Sequence, residues 1–294
     1  MQWTPGDRSN IEDDRGNSGG GGFGIGRGVP IGLGGLVVLL LLSWATGTNF
    51  LSLLTGGGDT GAPSNAVGSS GRVASSPAEE REVDFVDAVM KDVQATWTGI
   101  LGDRYQPTRA VLFRDSIDSA CGFAQSATGP FYCPEDSRVY LDLGFFDELQ
   151  AKFGAPGEFA RAYVLAHEVG HHIQRLTGIE RRERAAVRNQ PGTANAASVM
   201  IELQADCYAG VWGHAASQPG RAAKGEVELD PGDVDAGLRA AAAIGDDRLQ
   251  RMTTGHVSPE SFTHGTSAQR VEWFRRGLTA GTPGACDTFA RGSH

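Results

Sequence analysis

The chain has 294 residues, a formal net charge of −9, 40% hydrophobic residues and four cysteines. That length accommodates one large domain, and an acidic balance with no Lys/Arg-rich block excludes a basic nucleic-acid surface, so no nucleic-acid partner is expected. Cys121, Cys133, Cys207 and Cys286 are too few for a disulfide scaffold and lack C-x-x-C spacing, which argues against a cysteine-built zinc knuckle.

Residues 1–28 mix charges with Gly19-Gly20-Gly21-Gly22 and show no periodic apolar face, so they read as a disordered N-terminal tail. From Val29 to Leu54 the residues are apolar or small, and no charge falls between Arg27 and Asp59. A bilayer span needs roughly 20 such residues. The length of the run and its distance from Met1 distinguish it from a cleaved signal peptide. The predicted topology is a single retained transmembrane helix at 29–54. Arg27 on its N-terminal flank places the N-terminus in the cytoplasm and the downstream domain outside it, at the cell membrane. Residues 55–78, rich in Gly, Ser, Ala and Pro, read as a flexible linker, leaving 79–290 as the folded domain.

Within that domain, apolar residues from Val83 to Leu101 recur at helical spacing and predict an amphipathic helix over 80–101. Segments 109–114 and 138–143, enriched in Val, Leu, Phe and Tyr between turn signals, predict strands. Cys121 and Cys133 sit between them in an extended loop or hairpin. Helices are expected at 157–176, 194–217, 231–250 and 266–279, the first three opened by Pro-Gly pairs at 156, 191 and 231. The fold class is α+β, with a small sheet upstream of the helices that carry the chemistry.

The sequence His167-Glu168-Val169-Gly170-His171 matches H-E-x-x-H. Histidines at i and i+4 share one helix face and can grip a single Zn2+, while the intervening glutamate lies beside the metal as a general base. The apolar residues around the motif supply a buried helix rather than a solvated face. His172, about 100° further round, is expected to stand at the surface or to support the ligands. A catalytic zinc takes three protein ligands and keeps one position open. On a second predicted helix Glu202 and Asp206 lie one turn apart among apolar neighbours, where an acid needs a partner. Glu202 is the expected third ligand, and Asp206 the acceptor for a ligand histidine's ring N–H, with direct ligation by Asp206 as the alternative. His214 is too far along the helix to take part.

With these residues assembled, the chain resembles the bacterial neutral zinc metallopeptidase family, whose members carry an N-terminal membrane segment before a zincin-like domain. The likeness runs through Ala120-Cys121-Gly122, 129–134, 139–143, Phe145-Phe146, 166–172, 202–207 and 262–270, from about 80 to 289. It implies a gluzincin-type site and cleavage of a peptide or protein substrate. His264 resembles a histidine that approaches the site in other membrane-associated gluzincins, and is the candidate oxyanion donor; the bland reading is a helix-start histidine, with Thr263 or Thr266 as cap. Tyr140 and Arg270 are further candidates. The strand at 139–143 is the candidate cleft rim, where an extended peptide pairs with an exposed edge. Four cysteines allow three pairings; proximity and an oxidising compartment favour Cys121 with Cys133, and Cys207 could pair with Cys286.

Three functions compete on this reading. The first is a zinc peptidase with Glu168 as base. The second is a zinc-binding, catalytically silent or gated interaction module at the membrane. The third is a hydrolase of peptidoglycan or another amide.

Overall fold

The computed structural model describes residues 1–16, 75–125, 129–146 and 157–290. The expected span at 29–54 lies outside the described residues, among which no helix is long and apolar enough to cross a membrane.

Helix α1 (Pro77–Leu101) starts where Ser76 accepts a hydrogen bond from the Glu79 N–H, with Pro77 in the first turn and Glu79 and Glu80 complementing the helix dipole. It begins three residues before the periodicity predicts, because cap and proline carry no apolar signal. Its buried face, including Val86, Val89, Met90, Val93 and Trp97, forms one wall of the core.

The sheet comprises β1 (Ile11–Asp13), β2 (Arg109–Phe113), β5 (Phe131–Cys133) and β6 (Arg138–Asp142) in the order β1-β2-β6-β5. The first three strands in that order run parallel, and β5 is antiparallel to β6. Strands β3 (Ser116–Ser119) and β4 (Gly122–Gln125) form a separate hairpin. The two predicted strands are therefore present as β2 and β6, and the Cys121 region is the hairpin, joined to β5 by a Cys121–Cys133 disulfide.

One expectation needs correction. Residues 1–16 are no disordered tail. Ile11, Glu12 and Asp13 pair in register with Ala110, Val111 and Leu112, and Arg15 is buried between Asp13, Glu79 and Glu80. Met1, Trp3 and Ile11 pack on the core, but these scattered residues make no periodic apolar face, and the backbone pairing and charge that complete the docking are signals that hydrophobic periodicity does not carry.

Helix α2 (Glu158–Leu176) runs through the centre of the domain, with most of its residues buried on all sides. It packs on α1 and on α4 (Ala194–Ala216), which in turn packs most extensively on α7 (Ser267–Ala280). Between α2 and α4 comes α3 (Ile179–Asn189), which has no buried residue and whose arginine-rich sequence offers no core face to predict it from. The helix expected at 231–250 is two, α5 (Asp233–Ala243) and α6 (Asp246–Thr254). They part at Gly245, where a Cβ would lie 2.3 Å from the Ser267 nitrogen. Beyond the break, Asp246 accepts the N–H groups of Thr263, His264 and Gly265. Thr266 caps α7 in a reciprocal capping box with Gln269.

Candidate metal centre

The central helix α2 delivers His167, Glu168 and His171 to the floor of a cleft of about 960 Å³. The facing helix α4 delivers Glu202 and Asp206. The two helices approach closely at Gly170, where a Cβ would stand 3.1 Å from the Ala205 backbone. Glycine at that motif position thus sets the spacing that lets ligands from both helices meet.

The Nδ1–H of His167 donates to Asp206 Oδ1 at 2.9 Å, and that of His171 to Gln174 Oε1 at 2.9 Å. Both hydrogen bonds leave the Nε2 lone pairs free, and these converge on the two oxygens of one carboxylate. His167 Nε2 lies 3.2 Å from Glu202 Oε2, and His171 Nε2 lies 3.5 Å from Glu202 Oε1. One ligand atom from each of the three residues falls within 4.8 Å of the others. Two imidazole nitrogens and a carboxylate oxygen are donors suited to zinc. The charge fits as well: with neutral histidines, Glu168, Glu202 and Asp206 stand against the single guanidinium of Arg270, an excess of negative charge that a divalent cation offsets.

The supporting residues form a continuous buried network. Arg270 from α7 donates to both oxygens of Asp206, Nε to Oδ2 at 2.8 Å and Nη2 to Oδ1 at 2.9 Å. The Tyr163 hydroxyl donates to the same Oδ1. Asp206 is fully buried and engaged by these partners, and the group among the described residues that could hold a metal ion is His167, His171 and Glu202. Gln174 is anchored through its Nε2 to the Ile201 carbonyl at 2.7 Å and to Gln204 Oε1 at 3.1 Å.

Electrostatics follow from this burial. Desolvation opposes charge on His167, yet the charge of Asp206 and hydrogen bonds to Asp206 and Glu202 push it up to about 10, so a metal ion would bind His167 by displacing the Nε2 proton shared with Glu202 and leaving the neutral ring described above. Burial also opposes ionisation of Glu202, but His171 and His167 hold its carboxyl below the usual range. Glu168 is raised by burial, partly offset by His167 and His171. An elevated carboxylate beside the ligand cluster is the condition a general base requires.

His172 is neither at the surface nor beside the ligands. It is buried, with its Nε2–H donating to the Gln106 carbonyl at 2.6 Å. Because a carbonyl only accepts, Nδ1 is the acceptor for the Tyr132 hydroxyl at 2.9 Å. Burial lowers its basicity, in keeping with that neutral form. His172 thus ties strand β5 to helix α2.

Strand β5 is also the cleft rim, in place of the expected 139–143. Strand β6 is interior to the sheet, between β2 and β5, whereas β5 is an edge and Phe131 and Tyr132 line the cleft. The Tyr140 hydroxyl is engaged with Asp136 at 2.6 Å. His264 lines the cleft with its ring about half exposed, its Nδ1 3.1 Å from Asp246 Oδ1. Sequence reasoning missed Tyr163 and Gln174. Gln174, one turn beyond His171 on the same face, was findable from spacing, while Tyr163 resembled any core aromatic.

The cluster is one that could hold a metal ion, and the chain belongs to the family described as "Putative neutral zinc metallopeptidase", which it matches over residues 1–289. It is 42% identical to the uncharacterized protein YpfJ of Escherichia coli K12 over 99% of both chains. It is 44% identical to the uncharacterized protein Rv2575 of Mycobacterium tuberculosis H37Rv over 70% of both. No solved structure matches the chain.

Proposed function

We propose that the protein is a zinc-dependent peptidase of zincin-like fold, attached to a membrane through the apolar run at 29–54, with its domain in an oxidising extracytoplasmic space. The observation that carries the peptidase reading is the convergence of two histidine Nε2 atoms on Glu202 beside buried Glu168, all on the floor of one open cleft. His167, His171 and Glu202 would hold the ion. When bound, zinc supplies Lewis acidity that polarises a carbonyl and acidifies water.

The chain's own residues do the rest. An extended substrate pairs with the outer edge of β5, which brings a scissile carbonyl over the cluster floor. Glu168 takes a proton from the attacking water as oxygen bonds to the carbonyl carbon. It returns that proton to the amine nitrogen as the C–N bond breaks, so the carboxylate is regenerated. His264, oriented by Asp246, donates to the oxyanion from the cleft wall. Among the described residues the cluster has three ligand side chains, which leaves room for water and speaks against a closed structural site.

Zinc content and peptide hydrolysis of the full chain, compared with Glu168→Gln, test this reading. One zinc per chain in both, with turnover falling at least 100-fold in the variant, is expected from loss of a general base. Equal zinc with no turnover in the parent would favour the silent interaction module.

A further inference from the structure

The N-terminal segment constrains how the chain can meet a membrane. Residues 1–16 dock along α1, β2 and the 226–233 loop. Strand β1 extends the sheet, with flanking hydrogen bonds from Ala110 N–H to Asn10 O at 2.9 Å and from Asp14 N–H to Leu112 O at 2.8 Å. Asp87 on α1 is 0% exposed, and its hydrogen bonds come from the N-terminal segment: Arg8 N–H at 3.0 Å, Asn10 N–H at 3.1 Å and Asn10 Nδ2 at 3.0 Å. Gly6 passes so close that a Cβ there would lie 2.2 Å from Asp87 Oδ2. At the far end, the Met1 amino group pairs with Asp230 and Asp233 at 3.1 and 3.0 Å. Segment and domain are one compact unit.

The apolar run at 29–54 lies in sequence between these docked parts. A single crossing there would place β1 and β2 on opposite sides of a hydrocarbon layer about 30 Å thick, which no strand pairing survives. Two crossings need roughly 40 apolar residues, more than the run contains.

We infer that the N-terminal segment and the peptidase domain lie on the same face of the membrane, so that the chain joining them makes no net crossing. This replaces the single-pass topology expected from Arg27 and hydropathy. It rests on the membrane attachment proposed above and is independent of catalysis. The Cys121–Cys133 and Cys207–Cys286 disulfides place that common face on the oxidising side.

The test uses the full chain in right-side-out and inverted membrane vesicles, with single exposed cysteines introduced as Ser9→Cys or Met252→Cys and a membrane-impermeant maleimide as probe. The native cysteines are all paired, so the parent is the blank. Expected is labelling of both positions in right-side-out vesicles and protection of both in inverted ones. The reverse pattern at both positions still supports a common face while moving the domain to the cytoplasm. Labelling of one position in each preparation overturns the inference. Recovery of the chain outside the vesicles overturns the lipid attachment, and peptide hydrolysis in the same samples reports separately on the active site.

Discussion

At the scale of single residues, the ligand geometry depends on groups that touch no metal. Arg270 is 2% exposed and bonds both oxygens of Asp206, fixing the carboxylate that orients His167. Replacing it leaves Asp206 with Tyr163 and His167 but free to rotate. Arg270→Gln is expected to weaken zinc binding about 10–100-fold, the usual consequence of losing an outer partner of a ligand histidine. Arg270→Lys should recover only part, since an ammonium cannot reproduce the two-point contact. Chelator competition measures this directly, and an unchanged zinc affinity in a folded variant would reduce Arg270 to a packing role. The meeting of His167, His171 and Glu202 was legible because helical spacing places them on facing surfaces. The roles of Arg270, Tyr163 and His172 were not, because each is defined by a partner 30 or more positions away and by burial that composition does not disclose.

At the scale of elements, α4 and α7 are held at backbone contact. A Cβ on Gly277 would lie 1.9 Å from the Cys207 carbonyl oxygen, and one on Gly210 would lie 2.1 Å from that of Phe274. The Cys207–Cys286 disulfide clamps the same junction, where Gln204 donates to the Cys286 carbonyl at 2.8 Å. Overpacking of this kind costs about 1–3 kcal/mol. Gly277→Ala should lower the melting temperature by roughly 2–4 °C for each kcal/mol lost and shift Arg270 away from Asp206, so zinc affinity falls too. Thermal unfolding with zinc titration checks both; a wild-type melting curve would show that the helices can part without cost. Helices with an apolar face were legible from periodicity, as were β2 and β6. Helix α3, with its polar sequence, and the break at Gly245 were not. The break follows from Asp246 collecting three N–H groups of a distant loop, a tertiary demand that overrides local pattern.

At the scale of the whole molecule, the folded unit starts at the first residues and not near Glu79. The match to the family over residues 1–289 includes the docked segment. Deleting residues 1–16 removes an edge strand and the Arg8 and Asn10 donors to Asp87, and bares the face of α1 that the segment covers. A hydrogen bond to a charged group contributes about 1.5–3 kcal/mol. The deletion is therefore expected to lower the stability of the domain by at least that much, although no deleted residue lies in the cleft. The cause can be separated from simple loss of area by a second change. In the full chain, Asp87→Leu strands the N–H groups of Arg8 and Asn10 and is expected to destabilise. In the deleted chain Asp87 is open to water and has no such donors to lose, so the same substitution is expected to change stability little. The two effects differ in size, so a double-mutant cycle in urea isolates the coupling between segment and helix. Additive effects in that cycle would mean that residues 1–16 contribute nothing through Asp87, and the same-face topology would lose its principal support.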